Sequence, residues 1–162
     1  MTLNDMQRAA LALYAARAAG EGGSLEQMKG IAYCIRNRVK AGWYDGQWLT
    51  VIEHADESGA NPPGIRVVLD PNNRALQRLA ADIDDIYYGA GAEGPGNREQ
   101  KKLAPVAQNF APSGGELRDA VGRACYWAWV NEPFTAWFQE HILDHPEDHI
   151  MKAQMGMMLF FE

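Results

Sequence analysis

The apolar positions of this chain fall first into helical spacing. Leu3, Met6, Ala10, Leu13 and Tyr14 recur three and four residues apart, which predicts an amphipathic helix over 3–18 with Asn4 or Thr2 as its cap. A second helix is predicted over 25–40, where Leu25, Met28, Ala32, Ile35 and Val39 share one face. Ser24 with Gln27 three residues later forms a capping-box pattern at its start. Lys40 closes it before Ala41-Gly42, where the helix dipole favours a cation. Between the two helices, Gly20-Glu21-Gly22-Gly23 is a turn whose glycines let other backbone or a ligand come close. Glu21 is thereby expected at a helix–helix junction, a placement that suits a general acid.

Beyond residue 40 the pattern weakens. Leu49, Val51 and Ile52 suggest a short third helix, preceded by Trp43, Tyr44 and Trp48. Two readings of these aromatics stay open, core packing and stacking on sugar rings in a groove. Residues 55–70 form a loop, with Pro62-Pro63-Gly64 excluding regular structure, and loops of such length tend to be functional or disordered. Asp70-Pro71 opens a helix, as N-cap and first residue, that runs through Tyr88. Asp82, Asp84 and Asp85 on it read as an exposed acidic face rather than a cation site. Residues 89–116 read as a second surface connection.

In the last third, Leu117 to Val121 reads as helical. The aromatic stretch Cys125 to Val130 reads as a candidate strand. Phe134 to Leu143 reads as a short helix packing Trp137, Phe138 and Ile142, and the apolar run 155–161 as a buried strand. Two paired strands beside four or five helices give an α+β, mostly α, single domain over 1–162.

Composition narrows the function classes. With 47% hydrophobic and 22% charged residues the chain is of globular type. Its net charge is −6, from 15 basic and 21 acidic residues, and no basic run stands out, which argues against a nucleic-acid partner. The same balance gives no long-range attraction to an anionic polymer. No apolar run approaches the ~18 residues of a membrane span. The opening Met-Thr-Leu-Asn-Asp lacks the basic start and apolar core of a signal peptide, so a cytoplasmic chain is expected as synthesised. Cys34 and Cys125 read as buried free thiols. His141, His145 and His149 are spaced to line one face of an uninterrupted helix and bind zinc. Pro146 interrupts that helix, so the three read as a pH-sensitive surface, and no metal or cofactor is expected.

The stretch Gly20-Glu21 through Asn37-Arg38-Val39 resembles the opening motif of the cell wall hydrolases related to spore cortex-lytic enzyme (SleB-like). Two further pieces are similar in the right order. Gly122-Arg123-Ala124-Cys125-Tyr126-Trp127 stands where the family has Gly-Ala-Thr-His-Tyr, and the ending 153–161 stands where it has Ile-Gly-x-His-x-Phe-Tyr. The middle third does not match. Both histidines of the family pattern are replaced, by Cys125 and Met158.

The resemblance implies a lysozyme-like domain that cleaves peptidoglycan glycan strands as a lytic transglycosylase or muramidase, with Glu21 as catalytic acid. Protonating a glycosidic oxygen needs a carboxyl that keeps its proton near neutral pH, and desolvation between helices favours that form. In the transglycosylase route the sugar's own hydroxyl attacks, so no second carboxylate is required. Should one operate, Glu53, Asp56 and Glu57 are available. Tyr126, Trp43, Tyr44, Trp48 and Asn37 are the candidate substrate-binding residues, although Asn37 reads more readily as a backbone-bonded helix end. A catalytically silent module that binds glycan or a protein partner is the alternative, with the two replaced histidines as its sign.

Overall fold

The computed structural model describes residues 4–20, 23–55, 121–130 and 133–162. The expected helix from Asp70 to Tyr88, the two long connections apart from Ala55, and residues 117–120 lie outside the described residues. What is described is a mixed fold of helices and a small antiparallel sheet, of the α+β class.

Helix α1 spans Asp5–Ala19. Asn4 is its cap: the Asn4 side chain accepts from the Gln7 backbone N–H at 2.8 Å, and Gln7 returns the bond to Asn4 N–H at 3.1 Å. The helix differs from the amphipathic expectation. Arg8 and the run Ala9-Ala10-Leu11-Ala12 are all buried, as are Tyr14, Ala15 and Ala19, so the described side chains are buried on more than one face. Alanine causes this, because its small side chain lets neighbours pack on several sides at once.

Helix α2 spans Leu25–Lys40 and starts with the expected capping box between Ser24 and Gln27. Met28, Ala32, Ile35 and Val39 are buried as the spacing predicts, but Leu25 at the first position stays exposed. The α1–α2 turn is tight. Gly20 has φ +75°, Gly23 N–H donates to Gly20 O at 3.0 Å, and a Cβ on Gly23 would stand 2.5 Å from the Ala19 Cβ. At the other end Gly42, with φ +82°, closes α2 in the left-handed cap the sequence indicates. A 3-10 turn, Trp43–Gly46, leads to α3, Trp48–Glu53.

The sheet has order β1-β3-β2, from β1 (Tyr126–Trp129), β2 (Met151–Met155) and β3 (Met158–Phe161), all antiparallel. The run 155–161 is therefore not one buried strand. Gly156, with φ +60°, sits at the first central position of a two-residue hairpin turn, Met157 is exposed at its tip, and Met155 pairs with Met158. The C-terminal third thus supplies three strands where two were expected. Between β1 and β2 lies α4, Ala136–Phe138, which continues as a π turn over Gln139–Leu143.

The sheet is sandwiched. Trp127, Met158 and Phe160 face the main core of α1, α2 and α3, while Ala128 and Phe161 pack on Phe138 and Ile142 from α4. Helix and sheet approach closely at Gly30, where an added Cβ would lie 2.5 Å from Phe160 Cζ. Phe160 is fully buried, so its ring has little room to give. Gly30→Ala is expected to lower stability by about 1–3 kcal/mol, read as a lower urea midpoint at unchanged m-value. No helix among the described residues is long and apolar enough to cross a membrane.

Candidate functional site

The last turn of α2 builds one wall of a concavity. A cleft of about 510 Å³ opens between Asn37, Lys40 and Ala41 of α2, Trp43 after it, Arg123, Cys125 and Tyr126 on the way into β1, Asp148 and His149 before β2, and Glu162 after β3. Three stretches distant in sequence meet there because α2 ends against the start of β1 and the end of β3.

Asn37 and Arg38 make that junction. The Asn37 side-chain amide donates to Gly122 O at 3.0 Å and to Ala124 O at 2.8 Å. Its bonds therefore reach across to the segment before β1 rather than to the local backbone the sequence suggested. Arg38 is buried, donating from Nε to Cys125 O at 2.8 Å and from a terminal nitrogen to Ala55 O at 3.1 Å. Its guanidinium lies 4.8 Å from the Trp43 ring centre, 4.7 Å from Trp127 and 5.7 Å from Tyr126. Burial lowers its pKa from the ordinary arginine value, partly offset by the electron-rich Tyr14, Cys34, Cys125 and Tyr126.

The aromatic wall continues outward. Tyr126 meets Trp43 at 5.7 Å between ring centres and Trp137 at 6.2 Å, and the His149 ring is edge-on to it at 5.4 Å. Burial raises the Tyr126 phenol above its usual value, against the pull of Arg38. His149 Nδ1 is 2.9 Å from the Glu162 backbone oxygen; with Nδ1 donating there, Nε2 is the acceptor of the neutral ring. The Glu162 carboxylate pairs with Lys152 at 2.8 Å, and that hydrogen bond holds its pKa below the ordinary glutamate value.

The candidate residues separate. Tyr126, Trp43 and Asn37 come together at the cleft, although Asn37 spends its amide donors on backbone carbonyls. Trp48 is buried in the main core, so it offers no ring face to a groove. Tyr44 is exposed away from the cleft, in a left-handed conformation with φ +48°, stacked on His54 at 4.6 Å. Glu21 lies outside the described residues, as do Asp56 and Glu57; Glu53 is exposed at the end of α3. The residues bracketing Glu21's turn, Gly20 and Ser24, belong to the opposite end of α2. Asn37 is thirteen residues along the helix from Ser24, about 20 Å at the helical rise.

Of the positions where the resembling family has histidine, Met158 is fully buried and Cys125 half-buried. The Cys125 thiol contacts Arg123 O at 3.6 Å, and burial raises its pKa above the ordinary cysteine value despite Arg38 nearby. A raised pKa keeps the thiol protonated at neutral pH. Iodoacetamide is therefore expected to modify Cys125 more slowly than a free thiol at pH 8, with the rate still climbing above pH 9, while fully buried Cys34 does not react in the folded chain. Mass analysis of the alkylated chain checks this.

The three spaced histidines go different ways. The helix ends at Asp144; His141 stacks on Trp137 with its Nδ1 2.9 Å from Trp137 O, and His149 turns into the cleft. His145 keeps company with Glu147 and Asp148 at the exposed surface.

Sequence reasoning missed Lys40, Arg123, Asp148, His149 and Glu162 as the lining of one cleft, and Arg38 behind its aromatic wall. The signal within reach was Arg36-Asn37-Arg38, two cations flanking an amide at a helix end. Compared with protein families, curated proteins and solved structures, the chain matches none of them.

Proposed function

We propose that this chain is a lysozyme-like domain that cleaves the glycan strand of peptidoglycan, with Glu21 as general acid. One observation carries the reading: the three stretches that resemble the cell wall hydrolases lie against one another in the fold. Asn37 and Arg38 of the first bind the backbone of Gly122, Ala124 and Cys125 in the second. Gln27 donates to Met155 O at 2.8 Å and Gly30 abuts Phe160, which joins the first to the third.

The chemistry asked of the site is limited. A carboxyl group delivers a proton to the leaving oxygen while a hydroxyl of the same sugar, or a water, takes the anomeric carbon. The test is digestion of purified peptidoglycan and mass analysis of the soluble products. Anhydro-muropeptides identify transglycosylase action and reducing ends identify hydrolysis; absence of both overturns the reading.

A second reading is favoured by a specific observation. The aromatic cleft stands at the far end of α2 from Ser24, about 20 Å away along the helix. Buried Met158 and half-buried Cys125 also carry no imidazole for proton transfer. On this reading the domain binds glycan and does not cut it. Retention on insoluble peptidoglycan without release of soluble fragments is its expected signature.

A further inference from the structure

The charges around the cleft run against those of the chain. The whole sequence carries −6, yet Lys40 and Arg123 line the cleft, Arg38 lies directly behind its aromatic wall, and Lys152 stands at Glu162. Only two carboxylates, Asp148 and Glu162, line it among the described residues, and Glu162 is already engaged by Lys152. Arg38 has no carboxylate partner among the described residues: its bonds go to two carbonyl oxygens and its faces to aromatic rings. Lys40 and Arg123 make no ion pair there either, although Lys40 also offsets the C-terminal end of the α2 dipole and Arg123 helps Lys152 lower the Glu162 pKa. A buried cation without a counter-ion is costly in a folded protein, and a nearby anion offsets that cost.

The shape adds a second requirement. Trp43 and Tyr126 are tilted by 58° to each other with centres 5.7 Å apart, so they form an angled wall and leave no slot between them. Such a wall accepts the C–H face of a sugar ring. Asp148 and the acceptor nitrogen of His149 stand beside it for hydroxyl groups. A volume of about 510 Å³ suits one or two sugar rings.

We propose that the cleft at the C-terminal end of α2 binds a sugar bearing an anionic group, its ring against Trp43 and Tyr126 and its anion against Lys40 and Arg123. The proposal rests on the glycan reading for the expectation of a saccharide; the preference for an anion comes from the charges alone. The site lies at the opposite end of α2 from Ser24, so it is a binding site and takes no part in protonating a glycosidic bond. A carboxylate and a phosphate satisfy the same two cations, and the experiment separates them.

The full chain is titrated with glucuronate, glucose 6-phosphate and glucose, following tryptophan fluorescence and heat of binding. At least one anionic sugar is expected to bind about tenfold or more tightly than glucose, with the advantage shrinking as salt is raised. Binding of glucuronate alone assigns a carboxylate ligand, of glucose 6-phosphate alone a phosphate, and of both a general anion site. The exposed pair Lys40→Gln and Arg123→Gln together is expected to erase the advantage at the cost of a small drop in thermal midpoint, from the lost cation at the end of α2, with the folded signal intact. No binding of either anion, affinity no better than glucose, or a preference that survives the double substitution overturns the proposal. The probes contain no glycosidic bond between sugars, so this titration and the peptidoglycan digestion fail independently.

Discussion

Arg38→Ala is expected to lower the stability of the fold by about 3–5 kcal/mol, the largest loss expected from a substitution in the described residues. The magnitude follows from what the side chain does. It fills a fully buried site, bonds the carbonyls of Cys125 and Ala55, and lies among three aromatic rings. Truncation leaves both carbonyls without their donor and a void among Trp43, Tyr126 and Trp127. The opposing effect is relief of a desolvated charge, which Ala and Met share. Met keeps most of the volume, so Arg38→Met is expected to cost less than Arg38→Ala. Lysine keeps the charge but, as a single ammonium, does not reproduce a fork spanning two carbonyls, and Arg38→Lys also falls below wild type. Urea unfolding read by tryptophan fluorescence orders the three. An Ala variant within about 1 kcal/mol of wild type means the guanidinium does not fasten α2 to the sheet.

Asn37→Ala provides the internal comparison. Its amide makes two bonds to Gly122 and Ala124, but the residue is only half-buried, so water replaces part of what is lost. About 1–2 kcal/mol is expected. These adjacent residues share the segment 122–125, so their effects are expected to couple rather than add.

What the sequence disclosed was local. The capping box of Ser24 and Gln27 and the left-handed Gly42 depend on neighbours within four residues, and both stand where the pattern placed them. The short helix after Trp43 has the same origin. Readings failed where apolar identity alone was used. A run such as 155–161 does not say which of its residues turns, and only the positive φ of Gly156 divides it into two strands. In α1, alanine hardly contributes to an amphipathic pattern, so burial on several sides left little trace in the spacing. The cleft depended on long-range geometry. Trp43 and Trp48 are equivalent as letters, yet one lies over Arg38 at the surface and the other is in the core. The Arg-Asn-Arg helix end signals a polar cluster, but not that its middle and last members bind a segment 85 to 87 residues away.

Glu21→Gln is expected to reduce release of dye from labelled peptidoglycan by 10²–10⁴-fold, the usual contribution of a positioned general acid. The amide matches the carboxyl in size and retains hydrogen-bonding groups, but it has no proton to deliver, so ground-state binding to the polymer is expected to change far less than turnover. The pH profile provides a separate check. If Glu21 is the acid, wild-type release declines as pH rises through the pKa of that carboxyl, because the protonated form is the active one. The residual rate of the Gln variant lacks that limb. A thermal melt establishes that the variant is folded. Equal release by both proteins assigns the proton to another group. Silence in both, with binding to the polymer intact, leaves a glycan-binding domain in which Cys125 and Met158 stand where the resembling family keeps its histidines. Loss of turnover in the variant alone places the reaction at the Gly20–Gly23 turn, opposite the aromatic cleft. The two ends of α2 would then divide the work, one breaking the strand and the other holding it.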